Sequence, residues 1–281
     1  MIIDAHAHAA GPYATATSIQ GELLRHGMDK VILCAAPRNS QATAEPPKLP
    51  IKNDLDGIFA LNRMLRFAYR HFIKGDGDGN GYVRSLADKL PDTILPFLWV
   101  DPLDSIQMSQ LEKQIDDFAP KGIKLHQAWN AFAIDGPQFA ALVEIATAHR
   151  LPVFLHLYSK AEAHKVLRFA REHRDATLIL AHMLGSRVFL ADNARLENVY
   201  FDTSGSERVH GQDIRAAIDF FGSDHVIFGT DTPYAPIAAQ IEKIARLDLP
   251  GEAMDRVMGG NILRVLGMGS PEERYAFQPF M

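Results

Sequence analysis

Short apolar runs alternate with amphipathic stretches along nearly the whole chain. An apolar run bounded by turn residues reads as a buried strand, and apolar positions recurring every three or four residues read as a helix. Ile2 and Ile3 open the first strand, which continues through His8; side chains alternate along a strand, so Asp4, His6 and His8 are expected on one face. Helical spacing follows from Ser18 to His26, closed by Gly27, and Lys30 to Ala36 reads as a buried second strand. Pro37 to Pro50 is rich in Pro, Ala, Asn and Ser and reads as a long loop, a lid or rim rather than a simple connection. Asp54 to Ile73 predicts a long amphipathic helix, Gly75 to Tyr82 a turn or flexible loop, and Tyr82 to Leu90 a helix stopped by Pro91. Thr93 to Val100 is the third strand.

From there the alternation is regular. Helices are predicted over Ser105–Phe118, Pro137–His149, Ala161–His173, Gln212–Phe221, Ile237–Leu247 and Glu252–Leu266, with a short one around Arg187–Asn193. Between them lie strands over Gly122–His126, Pro152–Leu157, Thr177–His182, Val199–Thr203 and Val226–Thr230. Apolar strands covered by helices on both sides imply a parallel sheet, and eight repeats imply a closed α/β barrel, the (β/α)8 TIM fold. An open doubly wound sheet is the other arrangement this pattern allows. The 281 residues suit a single barrel domain, with 268–281 as a C-terminal tail whose Tyr275, Phe277 and Phe280 can pack across the barrel or onto a second copy in a homodimer.

Composition narrows the function. An apolar content of 47% with 22% charged residues is that of a globular protein with a full core. No apolar run approaches the roughly 18 residues of a membrane span, so no membrane partner is expected. The start has neither a basic leader nor a cleavable apolar segment, and the single cysteine, Cys34, excludes an internal disulfide. Both point to the cytoplasm, with Cys34 as a small buried apolar residue. A net charge of -5 without a basic stripe argues against nucleic-acid binding. Asp76, Asp78, Asn80 and Gly81 imitate the first half of a calcium loop, but Ala87 stands where that loop needs a bidentate Glu, which favours a solvated connection.

The chemistry lies at the strand ends, where barrel enzymes place their active sites. His6 and His8 end the first strand, Lys124 and His126 the fourth, and His156 the fifth; His182, Asp202 and Asp231 follow at the ends of the sixth, seventh and eighth. Histidines on separate strands at one depth cannot each be a satisfied core residue without a buried partner of its own. Two imidazoles two residues apart on one rigid strand can chelate a cation of the first transition row. Arg38, Trp129, Asn130, Arg208, His210 and Tyr234 sit on loops that reach toward the mouth and are candidates for the substrate. Asp202 is a further substrate candidate and, with Ser204, a hydrogen-bonding partner behind the ligands, while Asp4 reads as structural. His26, His149 and His173 lie at helix C-termini, and His71, His164 and His225 read as surface positions.

Asp4-Ala5-His6-Ala7-His8, Lys121-Gly122-Ile123-Lys124-Leu125-His126, Phe154-Leu155-His156, Leu180-Ala181-His182 and Phe228-Gly229-Thr230-Asp231-Thr232-Pro233 resemble, in order, the motifs of the amidohydrolase superfamily. The likeness is to its amidohydrolase-related branch, which includes the aminocarboxymuconate semialdehyde decarboxylase-like proteins; Gly260–Leu266 resembles the branch's terminal helix. The resemblance implies that His6, His8, His156 and Asp231 hold one divalent metal, with His182 beside it as a catalytic group. Three His, one carboxylate and an open position suit Zn2+, and Mn2+ or Fe2+ would fit similar ligands. For Lys124 and His126 three roles stay open: contact with substrate or ligands, a carboxylated lysine bridging a second metal with His126 recruited, or a buried structural pair.

The expected activity is hydrolysis of an amide, ester or lactone of a small carboxylated molecule by metal-activated water, with Asp231 and His182 moving protons. Non-oxidative decarboxylation of a small unsaturated or aromatic acid is the nearest alternative, and would use Arg38, Arg208 or Lys124 to hold the carboxylate. A non-catalytic binding barrel would be expected to lack ligands, and none is missing. A metal-free phosphate-binding barrel would need a Gly-rich loop, for which Gly205 and Gly211 are too sparse.

Overall fold

Eight parallel strands in the order β1 to β8 form the sheet of this computed structural model, which describes residues 1–36, 54–68, 79–205 and 208–268. They are β1 (Ile3–His8), β2 (Lys30–Cys34), β3 (Ile94–Trp99), β4 (Gly122–His126), β5 (Val153–His156), β6 (Leu178–Leu180), β7 (Val199–Asp202) and β8 (Val226–Ile227). The ring is closed between its first and last members: Ala5 N donates to Phe228 O at 3.1 Å and His8 N to Thr232 O at 2.8 Å. The fold is thus the (β/α)8 TIM barrel expected from the alternation. The expected rim loop with Arg38, His71, Asp76 and Asp78, and nearly all of the tail, lie outside the described residues.

The connecting helices are α1 (Ala16–His26), α2 (Leu55–Ala68), α3 (Gly79–Lys89), α4 (Ser105–Ser109), α5 (Leu111–Phe118), α6 (Pro137–Ala148), α7 (Lys160–Glu172) and α8 (Ser186–Ala191). They continue as α9 (Gly211–Phe221), α10 (Ile237–Ala245), α11 (Gly251–Asp255) and α12 (Asn261–Val265), the last two joined by a π-helical turn over Arg256–Gly260. Local chemistry sets their ends: Thr15 accepts from Ser18 N at 3.1 Å in a capping box, and Gly27, at φ +64°, closes α1. Among the described residues no helix is long and apolar enough to cross a membrane.

Some expectations need correcting, among them the single helix over Glu252–Leu266, which is divided by the π-helical turn. Ser105–Phe118 is two helices, divided at Gln110, whose ψ of 4° leaves the α region. Gly79–Gly81, expected in a turn, already belong to α3, where Asn80 brackets the backbone of Trp99 with hydrogen bonds of 2.8 and 2.9 Å. His225 is buried rather than exposed, its Nδ1 donating to Val199 O at 2.9 Å.

Two apolar layers flank the strands. The outer one joins Val31, Leu33, Ile123, Leu125, Leu155 and Leu180 to the helices. The inner one joins Ile3, Ala5, Ile32, Cys34, Phe97, Phe154, Ile179 and Ile227, residues of distant strands that meet only across the barrel interior. β1 changes phase between these layers. Asp4 is level with Val31 and Ala7 with Leu33, so three steps on β1 span two on β2, the signature of a β-bulge. Asp4 therefore shares its side of the sheet with outer-layer Val31, whereas His8, level with Cys34, belongs to the inner side. The expected common face of Asp4 and His8 is overturned by this one extra residue, which turns His6 and His8 into the mouth.

The inner layer leaves no room at Gly122. A Cβ there would lie 2.4 Å from two ring atoms of Phe97, its neighbour in register on β3. Gly122→Ala is expected to cost about 1–3 kcal/mol by overpacking, read as a lower thermal midpoint; an unchanged midpoint would mean that Phe97 has space to yield.

Candidate active site

Five imidazoles gather at the C-terminal ends of the strands, all nine-tenths buried or more. Ring centroids are 5.4 Å apart for His6 and His8, 5.0 Å for His6 and His182, 4.9 Å for His156 and His182, and 3.9 Å for His126 and His156. The last pair stacks because β4 and β5 are in register there.

Hydrogen bonds fix which nitrogen each ring offers. His6 Nδ1 lies 3.0 Å from Asp202 Oδ2 and 2.8 Å from Ser204 Oγ, so it carries the proton and leaves a lone pair on Nε2. His8 Nδ1 donates to Ala35 O at 2.9 Å, again freeing Nε2. His182 Nδ1 faces Ser204 O at 3.2 Å and Ser204 Oγ at 3.0 Å, and its Nε2 turns toward Asp231. Asp231 Oδ1 lies 3.6 Å from His6 Nε2 and 3.4 Å from His8 Nε2, while Oδ2 is 3.9 Å from His182 Nε2. Three lone pairs thus surround one carboxylate. His182 and Asp231 both have positive φ, +56° and +64°; the amide of Asp231 is tied to His6 O at 2.6 Å.

Burial and charge tune these groups. Burial, aided for His6, His126 and His156 by the nearby Lys124 ammonium and neighbouring imidazoles, holds these three well below the ordinary imidazole value. It lowers His182 as well, against the pull of Asp231 and Asp202. All four are therefore neutral at pH 7, the form that ligates metals. Burial alone would raise the carboxyl of Asp231, but the attraction of His182, His8 and His6, exerted by those rings when they carry a proton, outweighs it and holds it at about 2.

Behind this row sits a second one. Asp202 is fully buried and also accepts from His182 N at 3.1 Å and Ser204 N at 3.0 Å, so it orients His6 and His182 from the rear. Its buried place, with Ser204 donating to Oδ2, keeps it away from the open mouth. Asp4 accepts from Thr230 N and Oγ1 at 2.9 and 2.7 Å and pins the β8 end to β1; burial pushes its carboxyl up to about 7.

His156 and Lys124 are held differently. Asn62 of α2 gives its Nδ2 to Leu157 O and Tyr158 O at 2.8 and 3.0 Å, which aims Oδ1 at His156 Nε2, 2.9 Å away. The proton of His156 is thereby on Nε2 and its lone pair on Nδ1. The tightest donor sets among the described residues are His6 with His8 and Asp231, and His6 with His182 and Asp202; His156 stands beside them through His182. Lys124 is fully buried, its Nζ 2.7 Å from His6 Nε2 and 4.3 Å over the Phe154 ring. A cation on that His6 nitrogen would take the lone pair that Lys124 now uses.

Of the remaining candidates, His126 stacks between His156 and Trp99 and accepts from Trp129 Nε1 at 2.8 Å. Asn130 accepts from Trp99 Nε1 at 3.2 Å. Tyr234, nearly half exposed, stands edge-on to His8 at the rim, the ring centroids 5.5 Å apart. Arg208 and His210 line a cavity between α9 and α10 rather than the histidine cluster. Asn62 escapes sequence inspection, because a polar residue in an amphipathic helix carries no mark of a partner 94 positions away.

The donor set fits a divalent cation. Ligand atoms about 2.1 Å from a tetrahedral centre lie about 3.4 Å apart, and the two histidine-to-carboxylate spans are 3.4 and 3.6 Å. Neutral, pre-oriented imidazoles with a carboxylate held ionised complete the match, and the arrangement is that of a metal-dependent barrel enzyme.

The amidohydrolase family model matches residues 3–268, and the chain belongs to that family. No curated protein matches it. Among solved structures, 2,6-dihydroxybenzoate decarboxylase from Rhizobium superposes with a TM-score of 0.68 at 16% identity, covering 95% of this chain and 98% of the other. A dihydroxybenzoic acid decarboxylase from a Polaromonas species, with bound manganese and 2-nitroresorcinol, gives 0.67 at 17% identity over 98% and 99%. A probable 2-pyrone-4,6-dicarboxylic acid hydrolase from Acinetobacter baumannii, with citric acid bound, gives 0.67 at 14% over 95% and 99%. At these identities the likeness is one of fold.

Proposed function

We propose that the chain is a metal-dependent hydrolase acting on an amide, ester or lactone of a small carboxylated molecule. The observation that carries this reading is the carboxylate of Asp231, ionised between the Nε2 atoms of His6, His8 and His182. His6, His8 and Asp231 would hold the cation, with His156 beside them, and a bound divalent ion supplies Lewis acidity and acidifies water. The protein's own part is proton transfer. As water adds to the substrate carbonyl, Asp231 accepts its proton and His182 Nε2, 3.9 Å away, relays it to the departing amine or alkoxide. Asp202 and Ser204 hold His182 and His6 in the required tautomers.

His182→Gln is accordingly expected to keep its metal while turnover falls by about 10²-fold or more. Unchanged turnover would remove His182 from the reaction. The decarboxylases among the structural neighbours favour a second reading, loss of CO2 from a small unsaturated or aromatic acid. Elemental analysis with an assay panel separates the two. About one metal per chain with acid release from a lactone, ester or amide supports hydrolysis, whereas CO2 release without uptake of water replaces it. About two metals would make Lys124 a bridging group.

A further inference from the structure

Beside the mouth, between α9 and α10, lies a cavity of about 820 Å3, the size of a small-molecule site. Tyr234 is the point of contact with the histidine cluster: it lines the cavity and abuts His8. Arg208, Arg215, Lys243 and Arg246 line it, and Glu242 is the only carboxylate to do so among the described residues. Glu242 is taken by Arg246, at 2.6 Å. Two of the other cations are held by uncharged oxygens: Lys243 Nζ by Thr203 O at 2.8 Å and Gln240 Oε1 at 2.6 Å, and Arg215 by Leu247 O. Carbonyl and amide oxygens position a cation without cancelling its charge. An ammonium has three N–H donors, and those two acceptors account for two.

The backbone adds to the field. α9, of 11 residues, and α10, of nine, both begin on this cavity, through Gly211 and Gln212 and through Ala235 and Pro236. Neither helix has a side-chain cap; α9 carries Asp213 in its first turn, whose N donates to His210 O at 3.0 Å, whereas α10 has no acidic residue there, so its first N–H groups and positive dipole end are open to an outside acceptor. Cationic side chains and the open start of α10 on one concave surface call for an anion.

We propose that this cavity is a binding site for the oxyanion of a small molecule, a carboxylate or a phosphate, distinct from the histidine cluster. The anion bridges Lys243 and Arg215 at the floor and meets Arg246 at the outer edge. Burial pushes the Lys243 amine down to about 8, so the group is still charged at pH 7, and a bound anion would drive it back up. Because no step of the reaction enters, the site stands or falls independently of hydrolysis.

Calorimetric titration of the full-length, metal-loaded protein with inorganic phosphate and, separately, with succinate tests this. One saturable site is expected for at least one probe, weakened at least about tenfold in Lys243→Met and in Arg246→Glu and retained in Asp231→Asn. The tighter probe identifies the chemistry as phosphate or carboxylate. Arg246 is exposed, so Arg246→Glu decides the matter if Lys243→Met fails to fold. No saturable binding of either probe overturns the proposal. Binding that survives both cavity variants and vanishes in Asp231→Asn also overturns it, since the anion then sits at the histidine cluster.

Discussion

Asp231→Asn is expected to strip the centre of its metal and its activity together. The carboxylate is the sole formal negative charge in the set with His6 and His8, and the amide that replaces it offers the same shape without the charge. Losing only a hydrogen-bonding partner behind a ligand costs metal affinity about 10–100-fold, so losing the anionic ligand should exceed that range. Activity should fall further still, because the same group takes the water proton in the proposed reaction. Competition with a chelator followed by elemental analysis reads the affinity. A variant that holds metal as tightly as the parent would strike Asp231 from the ligands and leave it a proton carrier only.

Acid should unfold the protein early. His6, His126, His156 and His182 are all depressed from 6.5 by burial. In the unfolded chain they titrate near about 6.5. Above that pH neither state takes up these protons, and the stability is fully present. Below it the unfolded chain binds protons that the folded one refuses, so stability falls as pH falls. Asp4 works in the other sense: its carboxyl, raised to about 7, is protonated in the fold before it is in the unfolded chain, which adds stability as pH drops. Four imidazoles against one carboxyl leave a net loss of stability as the pH falls from 6.5 to 5.5. Calorimetry of protein stripped of metal should show the thermal midpoint dropping steeply over that unit. A level profile would mean that the imidazoles are already charged in the fold.

Much of this was legible in the residue pattern. Apolar runs separated by helical spacing gave the barrel, and the barrel rule for strand ends then collected His6, His8, His182 and Asp231 at one mouth. What escaped depended on contacts rather than on period. A single extra residue in β1 parts Asp4 from His8, and no alternation rule announces a bulge. Asn62 reaches His156 from a helix that looks merely amphipathic, and Lys124 shares a lone pair with a residue 118 positions earlier. His225 looked solvated because nothing local reveals the carbonyl of Val199 that receives it. The cationic cavity is likewise assembled from two helices, neither of which is conspicuously basic alone.

The left-handed backbone at His182 and Asp231 has a consequence for anyone who would evolve this protein in the laboratory. An L-residue in that region sits roughly 1–2 kcal/mol above its relaxed conformation, and glycine or, in part, asparagine relieves the tension. A screen that rewards heat resistance alone will therefore be drawn to these two positions. The replacements it enriches will be those that delete the imidazole and the carboxylate assigned to proton transfer. Robust but silent variants are the expected harvest unless every round also selects for turnover.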